Sequence, residues 1–413
     1  MKKKIFVRGP VLSQSGYGEQ SRFALRALKS QENIFDIYIQ PIPWGQTGWI
    51  TDDDDFRGWM DSKITLTQIL LQQQQLQPDI SLQITVPNEF QKLCPLNIGY
   101  TAGIETTKVA NAWLQKGNEE VDKILVVSNH AKTTYETTTA TAQNVKTGEE
   151  HPYRLETPVE VVWETTPRHE PEETPEISLD TDFNFLVVSQ AGPRKNYENT
   201  IRWWIEEFKD DNVGLIIKVN TKNNSTMDAM YTESFLKNLV QEYPDKTCKV
   251  YMLHGDLTAG QMTGLYNNSK VKALVNIAHG EGFGLPMFEA AREGLPIVTV
   301  GWSGHMDFLT NGTNEYFQKV DYTLRPIQPE AVWDGVLRAD SMWAYADEKS
   351  FKETLRKTMD NWTACKETAG ELKDFVETNF SEEKLFKQFC NAIYSPTKEE
   401  LEWLDQLSDI DIL

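Results

Sequence analysis

Short runs of consecutive apolar residues alternate along this chain with longer segments in which apolar residues recur every three or four positions. The short runs are typical of strands buried on both faces, and the longer spacing is typical of amphipathic helices. In the second half, strands are predicted at FNFLVVSQ, VGLIIKVN, KVYMLHG, VKALVNIA and PIVTV, with helices such as YENTIRWWIEEF between them. This alternation predicts a doubly wound parallel sheet, whose ligands should lie at the carboxyl ends of the strands.

The first half repeats the pattern more loosely, with six strand candidates from KKIFVRG to VEVVWET. The segment TTPRHEPEETPEISLDTD is acidic, proline-rich and aperiodic, which is typical of a linker. We therefore predict an α/β protein with two Rossmann-like domains facing a cleft, and closure of the domains should complete the site. The predicted parts are an N-terminal domain over 1–170, a linker over 171–182, a second domain over 183–370 and a tail over 371–413. The chain from about residue 328 is expected to be mostly helical, with the tail packing back on the N-terminal domain.

Composition narrows the function classes. The chain has 413 residues, of which 39% are hydrophobic, enough for more than one core. Its apolar runs are too short to span a bilayer, and MKKKIFVRGP lacks the apolar stretch of a secretory signal. The four cysteines are scattered without metal or disulfide spacing, which predicts a cytoplasmic location. The net charge of −20 disfavours nucleic acid and anionic lipid as partners unless a local basic patch overrides it.

The stretch HGEGFGLPMFEAAREGLPIVTV places Glu281 in a glycine-rich segment and Glu289 eight positions later. Pro286 suits the first turn of a helix, so the stretch is predicted to form a loop, a helix and a strand. Glycines allow backbone N–H groups to approach a ligand closely, and a helix N-terminus favours an anion. An anionic, hydroxyl-rich molecule such as a sugar nucleotide fits such a site. The alternative is an ordinary turn with two surface glutamates.

The pattern Glu281-x7-Glu289 resembles the signature of family 4 of the retaining glycosyltransferases, two-domain GT-B enzymes that use nucleoside-diphosphate sugars. Further segments follow in the order of that family, and together they cover roughly residues 5–310. They are GPVLSQSGYGEQSR, GYTAGIETTKVANAWL, VDKILVVSNHAK, GPRKN, HGDLTAGQMTGLY and GWSGHMDF. The SGYG, GYT-ET and RKN motifs are similar to those of one subgroup.

The resemblance implies a role for each matching residue. Glu281 should bind hydroxyls of the donor sugar, and Glu289 should bind the ribose hydroxyls. Lys195 should neutralise the donor diphosphate, with Arg194 beside it. The other implied donor-site residues are Phe283, Gly284 and Leu285 through their backbone N–H groups, Gly16 and Gly18 in an N-terminal glycine loop, and Ser303, Gly304 and Asp307 in a bordering loop.

The chain departs from the family at two places. Gln190 stands where the family commonly has an arginine, so that position carries no charge, and Arg194 is the candidate replacement. A histidine common in the N-terminal domain has no clear counterpart. Glu105 is the polar candidate on the acceptor side, while His130 is interpreted as structural.

The resemblance implies transfer with retention of configuration, in which the diphosphate leaves and an acceptor hydroxyl attacks from the same face. Fixed positive groups should then dominate the rate, so no metal and no tightly bound cofactor are expected beyond the donor itself. The predicted acceptor is a glycan or glycolipid.

Other interpretations stay open. Virus-encoded members with similar motifs make a modified base in DNA a possible acceptor. A sugar-nucleotide epimerase, a phosphorylase and a non-catalytic sugar-nucleotide binder are further alternatives, the last because of Gln190. A dehydrogenase is disfavoured because GYG lacks the full GxGxxG and its distant acidic partner.

Overall fold

The computed structural model describes residues 2–144, 146–174 and 177–395, so the predicted tail beyond 395 lies outside the described residues. The described chain divides into two compact units. The first unit contains residues 2–103, 109–165 and 381–395. The second contains Ile104–Lys108 and Thr166–Phe380. The segment predicted as a linker therefore belongs to the second unit, and the segment predicted as a tail is divided between the two.

The first unit is built on a six-stranded sheet in which every neighbouring pair is parallel, in the order β2-β1-β3-β4-β5-β8. Its elements in chain order are β1 (Lys3–Gly9), α1 (Gly16–Lys29), β2 (Phe35–Pro41), α2 (Asp55–Gln72), β3 (Ile80–Ile84), β4 (Leu96–Thr101), α3 (Asn111–Glu120), β5 (Lys123–Val126), α4 (Asn129–Thr137), β6 (Ala140–Gln143), β7 (Glu150–Tyr153) and β8 (Val159–Val161). Strands β6 and β7 form a separate antiparallel hairpin.

The second unit has a six-stranded parallel sheet in the order β11-β10-β9-β12-β13-β14. Its elements are β9 (Asn184–Gln190), α5 (Tyr197–Phe208), β10 (Gly214–Asn220), α6 (Thr226–Gln241), β11 (Lys249–Leu253), α7 (Ala259–Asn267), β12 (Val271–Asn276), α8 (Leu285–Arg292), β13 (Ile297–Val300), α9 (Met306–Leu309), β14 (Gln318–Val320), β15 (Tyr322–Pro326), β16 (Met342–Ala346), α10 (Glu348–Asp360) and α11 (Trp362–Asn379). The last described helix, α12 (Glu382–Ile393), belongs to the first unit.

Helix α5 illustrates how the sequence pattern produces the packing. Its apolar residues at i, i+3, i+4 and i+7 are Ile201, Trp204, Ile205 and Phe208, and all four are fully buried. They pack against β9 and β10 in the core of the second unit. The amphipathic spacing therefore fixes which face of the helix covers the sheet.

Helix α12 covers α1 in the first unit. Phe389 of α12 and Phe23 of α1 meet edge to face, with ring centroids 5.5 Å apart. The Cys390 thiol donates a hydrogen bond to the carbonyl of Ala27. The chain therefore returns to the first unit after completing the second.

The predicted fold class is confirmed, because both units are parallel sheets flanked by helices. Among the described residues after 328, the helices α10, α11 and α12 predominate, as predicted, and the strand β16 pairs antiparallel with β15, which lies just before them. The two strands are separated by a long connection, so no tight turn marks the pairing in the sequence. Within the described residues, no helix is long and apolar enough to cross a membrane.

Candidate functional site

Two positive side chains surround one carboxylate at the carboxyl ends of β9 and β12, which are neighbours in the sheet. Lys195 Nζ lies 2.5 Å from Oε1 of Glu281, and Arg194 Nη1 lies 2.8 Å from Oε2. Lys195 and Arg194 belong to the loop after β9, and Glu281 belongs to the loop after β12. The structure thus brings these three predicted residues together.

Burial makes this charge cluster strongly coupled. The side chain of Glu281 is only 7% exposed, and that of Lys195 is 16% exposed. Burial alone would raise the pKa of Glu281, but Lys195 and Arg194 overcome it and hold the pKa well below its usual range. Burial, together with the charge of Arg194, lowers the pKa of Lys195 despite the carboxylate. Lys195 and Arg194 bring two positive charges to this site, and the carboxylates of Glu281 and Glu105 balance them.

The backbone and one amide hold Glu281 in place. Asn276, the last residue of β12, donates from Nδ2 to Oε1 of Glu281 at 3.0 Å. The N–H of Glu281 donates to Ser303 Oγ at 2.9 Å, and its carbonyl accepts from the N–H of Gly304 at 2.9 Å. A Cβ on Gly304 would lie 1.8 Å from the carbonyl oxygen of Gly282, so only glycine fits there.

A buried histidine fixes Ser303. His305 Nε2 lies 2.8 Å from the carbonyl oxygen of Val300, and its Nδ1 lies 3.4 Å from Ser303 Oγ. Burial lowers the pKa of His305, so the ring is neutral, with Nε2 donating and Nδ1 accepting. Ser303 itself adopts a left-handed backbone with φ of 82°. The predicted Asp307 lies in the short helix α9 that follows.

Glu105 belongs to the segment Ile104–Lys108, which the structure groups with the second unit. Its Oε1 lies 3.4 Å from Nε of Arg194. Gly280 permits this approach, because a Cβ there would lie 2.3 Å from the carbonyl oxygen of Glu105. Burial opposes protonation of Arg194, but Glu105 and Glu281 together raise its pKa above the usual range. The placement of Glu105 beside Arg194 differs from its predicted position within the domain over 1–170.

The start of α8 follows the Glu281 loop directly. Gly284 precedes the helix with a positive φ of 98°, and its carbonyl accepts from Met287 and Phe288. Phe283 is buried and its ring packs at a tilt against those of Phe288 and Phe308, which anchors the loop in the core. Leu285 is the first helical residue. The first N–H groups of a helix have no partners within that helix, so this end can hold a negatively charged group.

Glu289 lies one turn further along α8 and does not belong to the Lys195 cluster. The Tyr266 hydroxyl of α7 donates to its Oε2 at 3.0 Å. Burial and the nearby carboxylate raise the pKa of Tyr266 well above normal, so the phenol stays protonated as a donor. Sequence reasoning missed Tyr266, Asn276 and His305. The sequence offered two local signals. Asn276 is a polar residue inside the apolar run VKALVNIA, and His305 is the histidine of GWSGHMDF.

Gln190 does not point to the cluster. It is the exposed last residue of β9, and its Nε2 donates to the carbonyl of Thr221 at 3.2 Å. Arg194 and Lys195, and not residue 190, therefore supply the positive charge beside Glu281.

Gly16 and Gly18 lie in the first unit at the start of α1. The hydroxyl of Ser15 caps the helix by accepting from the N–H of Gly18 at 3.1 Å. A Cβ on Gly18 would lie 1.9 Å from the carbonyl oxygen of Ser13, whereas the position of Gly16 is open. Arg22 braces this turn by donating to the carbonyl of Ser13 at 2.9 Å.

No family model matches the chain. A 118-residue stretch is 28% identical to the serotype-specific mannosyltransferase WbdA of Escherichia coli. That stretch covers 28% of this chain and only 13% of the length of WbdA, so the chain corresponds to a small part of that relative.

Solved structures resemble the whole described fold. Sucrose-phosphate synthase from Thermosynechococcus elongatus matches with a TM-score of 0.60 at 11% identity, over 95% of this chain and 98% of that chain. HepE from Anabaena, in complex with UDP and glucose, matches with a TM-score of 0.58 at 11% identity, over 94% and 99% of the two chains. WaaG, a glycosyltransferase involved in lipopolysaccharide biosynthesis, matches with a TM-score of 0.54 at 12% identity, over 95% and 100%. The chain thus has the GT-B fold, with two Rossmann-like units.

Proposed function

We propose that this protein is a glycosyltransferase that moves a sugar from a nucleoside diphosphate to an acceptor hydroxyl. The observation that carries this proposal is the cluster of Lys195, Arg194 and Glu281 at the carboxyl ends of β9 and β12. Ligands of doubly wound sheets bind at this edge. The cluster combines positive charge for a diphosphate with a carboxylate that can accept hydrogen bonds from sugar hydroxyls.

Lys195 and Arg194 stabilise the negative charge that accumulates on the diphosphate as the bond to the anomeric carbon breaks. Their ion pairs with Glu281 keep them oriented before the donor arrives. In the proposed step, the acceptor oxygen forms the new bond on the face from which the diphosphate leaves, so configuration is retained. The acceptor proton passes to the departing diphosphate oxygen, which balances the reaction without a protein nucleophile.

The remaining donor contacts are proposed from their placement. Glu289, held by Tyr266, accepts hydrogen bonds from the ribose hydroxyls. The N–H groups of Phe283, Gly284 and Leu285 at the start of α8 bind the anionic part of the donor, and Ser303 with Gly304 supports that loop. A role for Gly16 and Gly18 in donor binding is proposed from the sequence resemblance alone.

No metal is required by this proposal, because two cationic side chains neutralise the diphosphate. Within residues 2–144, 146–174 and 177–395, no group of three histidine, cysteine, aspartate or glutamate side chains is arranged to hold an ion. Because Lys195 and Arg194 neutralise the diphosphate in this proposal, turnover should persist in excess EDTA. Loss of turnover that returns on adding Mg²⁺ or Mn²⁺ would contradict this part of the proposal.

The proposed acceptor is a glycan or glycolipid. The similarity to a mannosyltransferase favours it, and so does the fold shared with a glycosyltransferase of lipopolysaccharide biosynthesis. The net charge of −20 argues against DNA, since phosphate backbones would be repelled. A mannosyl donor is the first sugar to test.

The experiment measures thermal shift and nucleoside-diphosphate release with UDP-, GDP- and ADP-linked sugars, GDP-mannose among them. We expect one donor to raise the unfolding temperature and to be hydrolysed slowly without an acceptor. Binding without turnover, even with mannose-containing acceptors, would favour a non-catalytic binder. If no donor binds, the proposal fails.

A further inference from the structure

A separate cavity of about 380 Å³ lies in the second unit beside the loop after β9. Its walls come from that loop, the first turn of α5, the side of α6 and Thr221 after β10. The volume falls within the range of roughly 300–1,000 Å³ typical of small-molecule sites. The described residues that line it do not include Lys195, Glu281 or Glu289, so it is distinct from the proposed donor site.

Three aromatic side chains line this cavity. Tyr197 of α5 and Phe235 of α6 stack with ring centroids 5.6 Å apart and an interplanar angle of 27°. Tyr231, one helical turn before Phe235, is 64% exposed. Because Tyr197 and Phe235 stack on each other, the exposed ring of Tyr231 is the surface left for a ligand. The negative face of such a ring attracts C–H groups that carry partial positive charge, and a sugar ring presents a face of these groups.

Two buried polar atoms in the lining lack partners among the described residues. They are the hydroxyl of Tyr197 and Oε1 of Gln328. Gln328 uses its Nε2 on His279, at 3.1 Å from the ring Nε2, which leaves its carbonyl oxygen as the acceptor. Buried polar groups nearly always find a hydrogen-bond partner, so a ligand hydroxyl that inserts between the lining side chains would satisfy either atom.

The charges in the lining set the class of ligand. Among the described lining residues there is no lysine, arginine or histidine. Glu198 is the one charged group there, and it already accepts from Arg202 Nε at 2.8 Å. The other polar groups are neutral amides and hydroxyls, among them Asn199 and Thr232. A phosphate or carboxylate would meet no compensating positive charge here. A neutral polyol needs no such charge and can bond to the amides and hydroxyls.

We propose that this cavity is a second binding site that takes a neutral saccharide, stacked on Tyr231 and hydrogen-bonded to Tyr197 and Gln328. The cavity and the proposed donor site share the loop after β9. Gly192 and Asn196 of this loop line the cavity, while Arg194 and Lys195 of the same loop bind Glu281. A bound saccharide would therefore restrain the loop that positions the cationic pair.

The test is saturation-transfer NMR of the full-length protein with short neutral oligosaccharides of mannose, glucose, galactose and N-acetylglucosamine. It needs no turnover, so its outcome does not depend on the proposed transferase activity. We expect transfer to the ring protons of at least one saccharide. Tyr231→Ala should weaken that binding by about tenfold, the effect of one lost aromatic stack. Tyr197→Phe should weaken it by a few-fold while keeping the fold, because only an unpaired hydroxyl is removed.

Met227→Ala is the matched control, because Met227 lies on the same helix, is 74% exposed and is not among the lining residues. It should bind as the unaltered protein does. Equal binding by the Tyr231→Ala and Met227→Ala variants would overturn the proposal, since the saccharide would then lie elsewhere. The proposal also fails if none of the saccharides binds at millimolar concentration, or if uridine or guanosine binds this site in preference to all of them.

Discussion

Lys195 and Glu281 are 86 positions apart in the chain, yet Nζ of the lysine lies 2.5 Å from Oε1 of the glutamate. Their strands β9 and β12 are neighbours in the sheet, so both loops leave the same edge. The pair is largely buried and shares its charge with Arg194. If the proposed function holds, donor binding and loop stability are linked at this one carboxylate.

Removing the lysine tests the proposed role of this pair. We expect Lys195→Ala to lower turnover by roughly 10²–10³, because the diphosphate loses a fixed positive partner in the transition state. The measurement is the rate of nucleoside-diphosphate release at saturating donor. Lys237→Ala, which removes an exposed lysine of α6, is the control and should leave the rate unchanged. Near-normal turnover in the Lys195→Ala variant would remove Lys195 from the mechanism.

Gln190 provides the contrasting case. Its side chain binds the carbonyl of Thr221 and lies outside the cluster, so Gln190→Ala should reduce turnover by less than about tenfold, the loss of one ordinary hydrogen bond. The same release assay measures it beside Lys195→Ala. A loss as large as that of the lysine variant would show that Gln190 contacts the reacting phosphates.

Tyr266 should affect donor affinity more than rate. Tyr266→Phe removes the hydroxyl that orients Glu289, at a cost of about 1 kcal/mol, or roughly a fivefold rise in KM for the donor. Little change in kcat is expected, because a ribose contact is equally strong in the ground and transition states. Tyr243→Phe removes a similar hydrogen bond, from a tyrosine just after α6 to Glu206 of α5, and should leave KM unchanged. A fall in kcat at constant KM would contradict the ribose role.

Gly304 should tolerate no side chain. Gly304→Ala would push a Cβ against the backbone of Gly282, and overpacking of this kind costs about 1–3 kcal/mol of the free energy of unfolding. Turnover should fall as well, since the N–H of Gly304 holds the carbonyl of Glu281. In Gly370→Ala the new Cβ has open space within α11, so this control should be neutral or stabilising. Chemical denaturation of both variants measures the free energy of unfolding, and equal values for Gly304→Ala and the unaltered protein would contradict the prediction.

Glu164 should make the first unit sensitive to pH. Burial, reinforced by the charge of Glu19, raises the pKa of Glu164 to about 8 from an ordinary value of 4.5. Between these values the folded state keeps a proton that the unfolded chain has lost. The free energy of unfolding should therefore fall as pH rises through this window, by up to about 1.4 kcal/mol per unit.

Glu164→Gln removes this proton and should flatten the dependence of the urea midpoint on pH. Glu156→Gln, which removes an exposed glutamate of the same unit, should keep the slope of the unaltered protein. Parallel curves for the unaltered protein and Glu164→Gln would exclude a protonated carboxyl at this position.

Much of the fold could be predicted from local pattern. Strands such as β1 and β2 were predicted with their observed bounds, because each has a short central apolar run, IFV or IYI, that is buried in the sheet. Helix α5 was equally visible from its apolar spacing. The pairing of β15 with β16 was missed, since the strands are short, widely separated and not marked by a tight turn.

The sequence by itself determined the two parallel sheets, the glycine loop of Glu281 and the helix that starts after it, because each depends on residues close together in the chain. Only the tertiary structure decided that β12 lies against β9, which brings Lys195 to Glu281, and that Tyr266 meets Glu289. It also grouped Glu105 with the second unit. These contacts join segments that are far apart in the chain. The order of strands depends on how whole sheets and helices pack, and no short run of residues encodes that order.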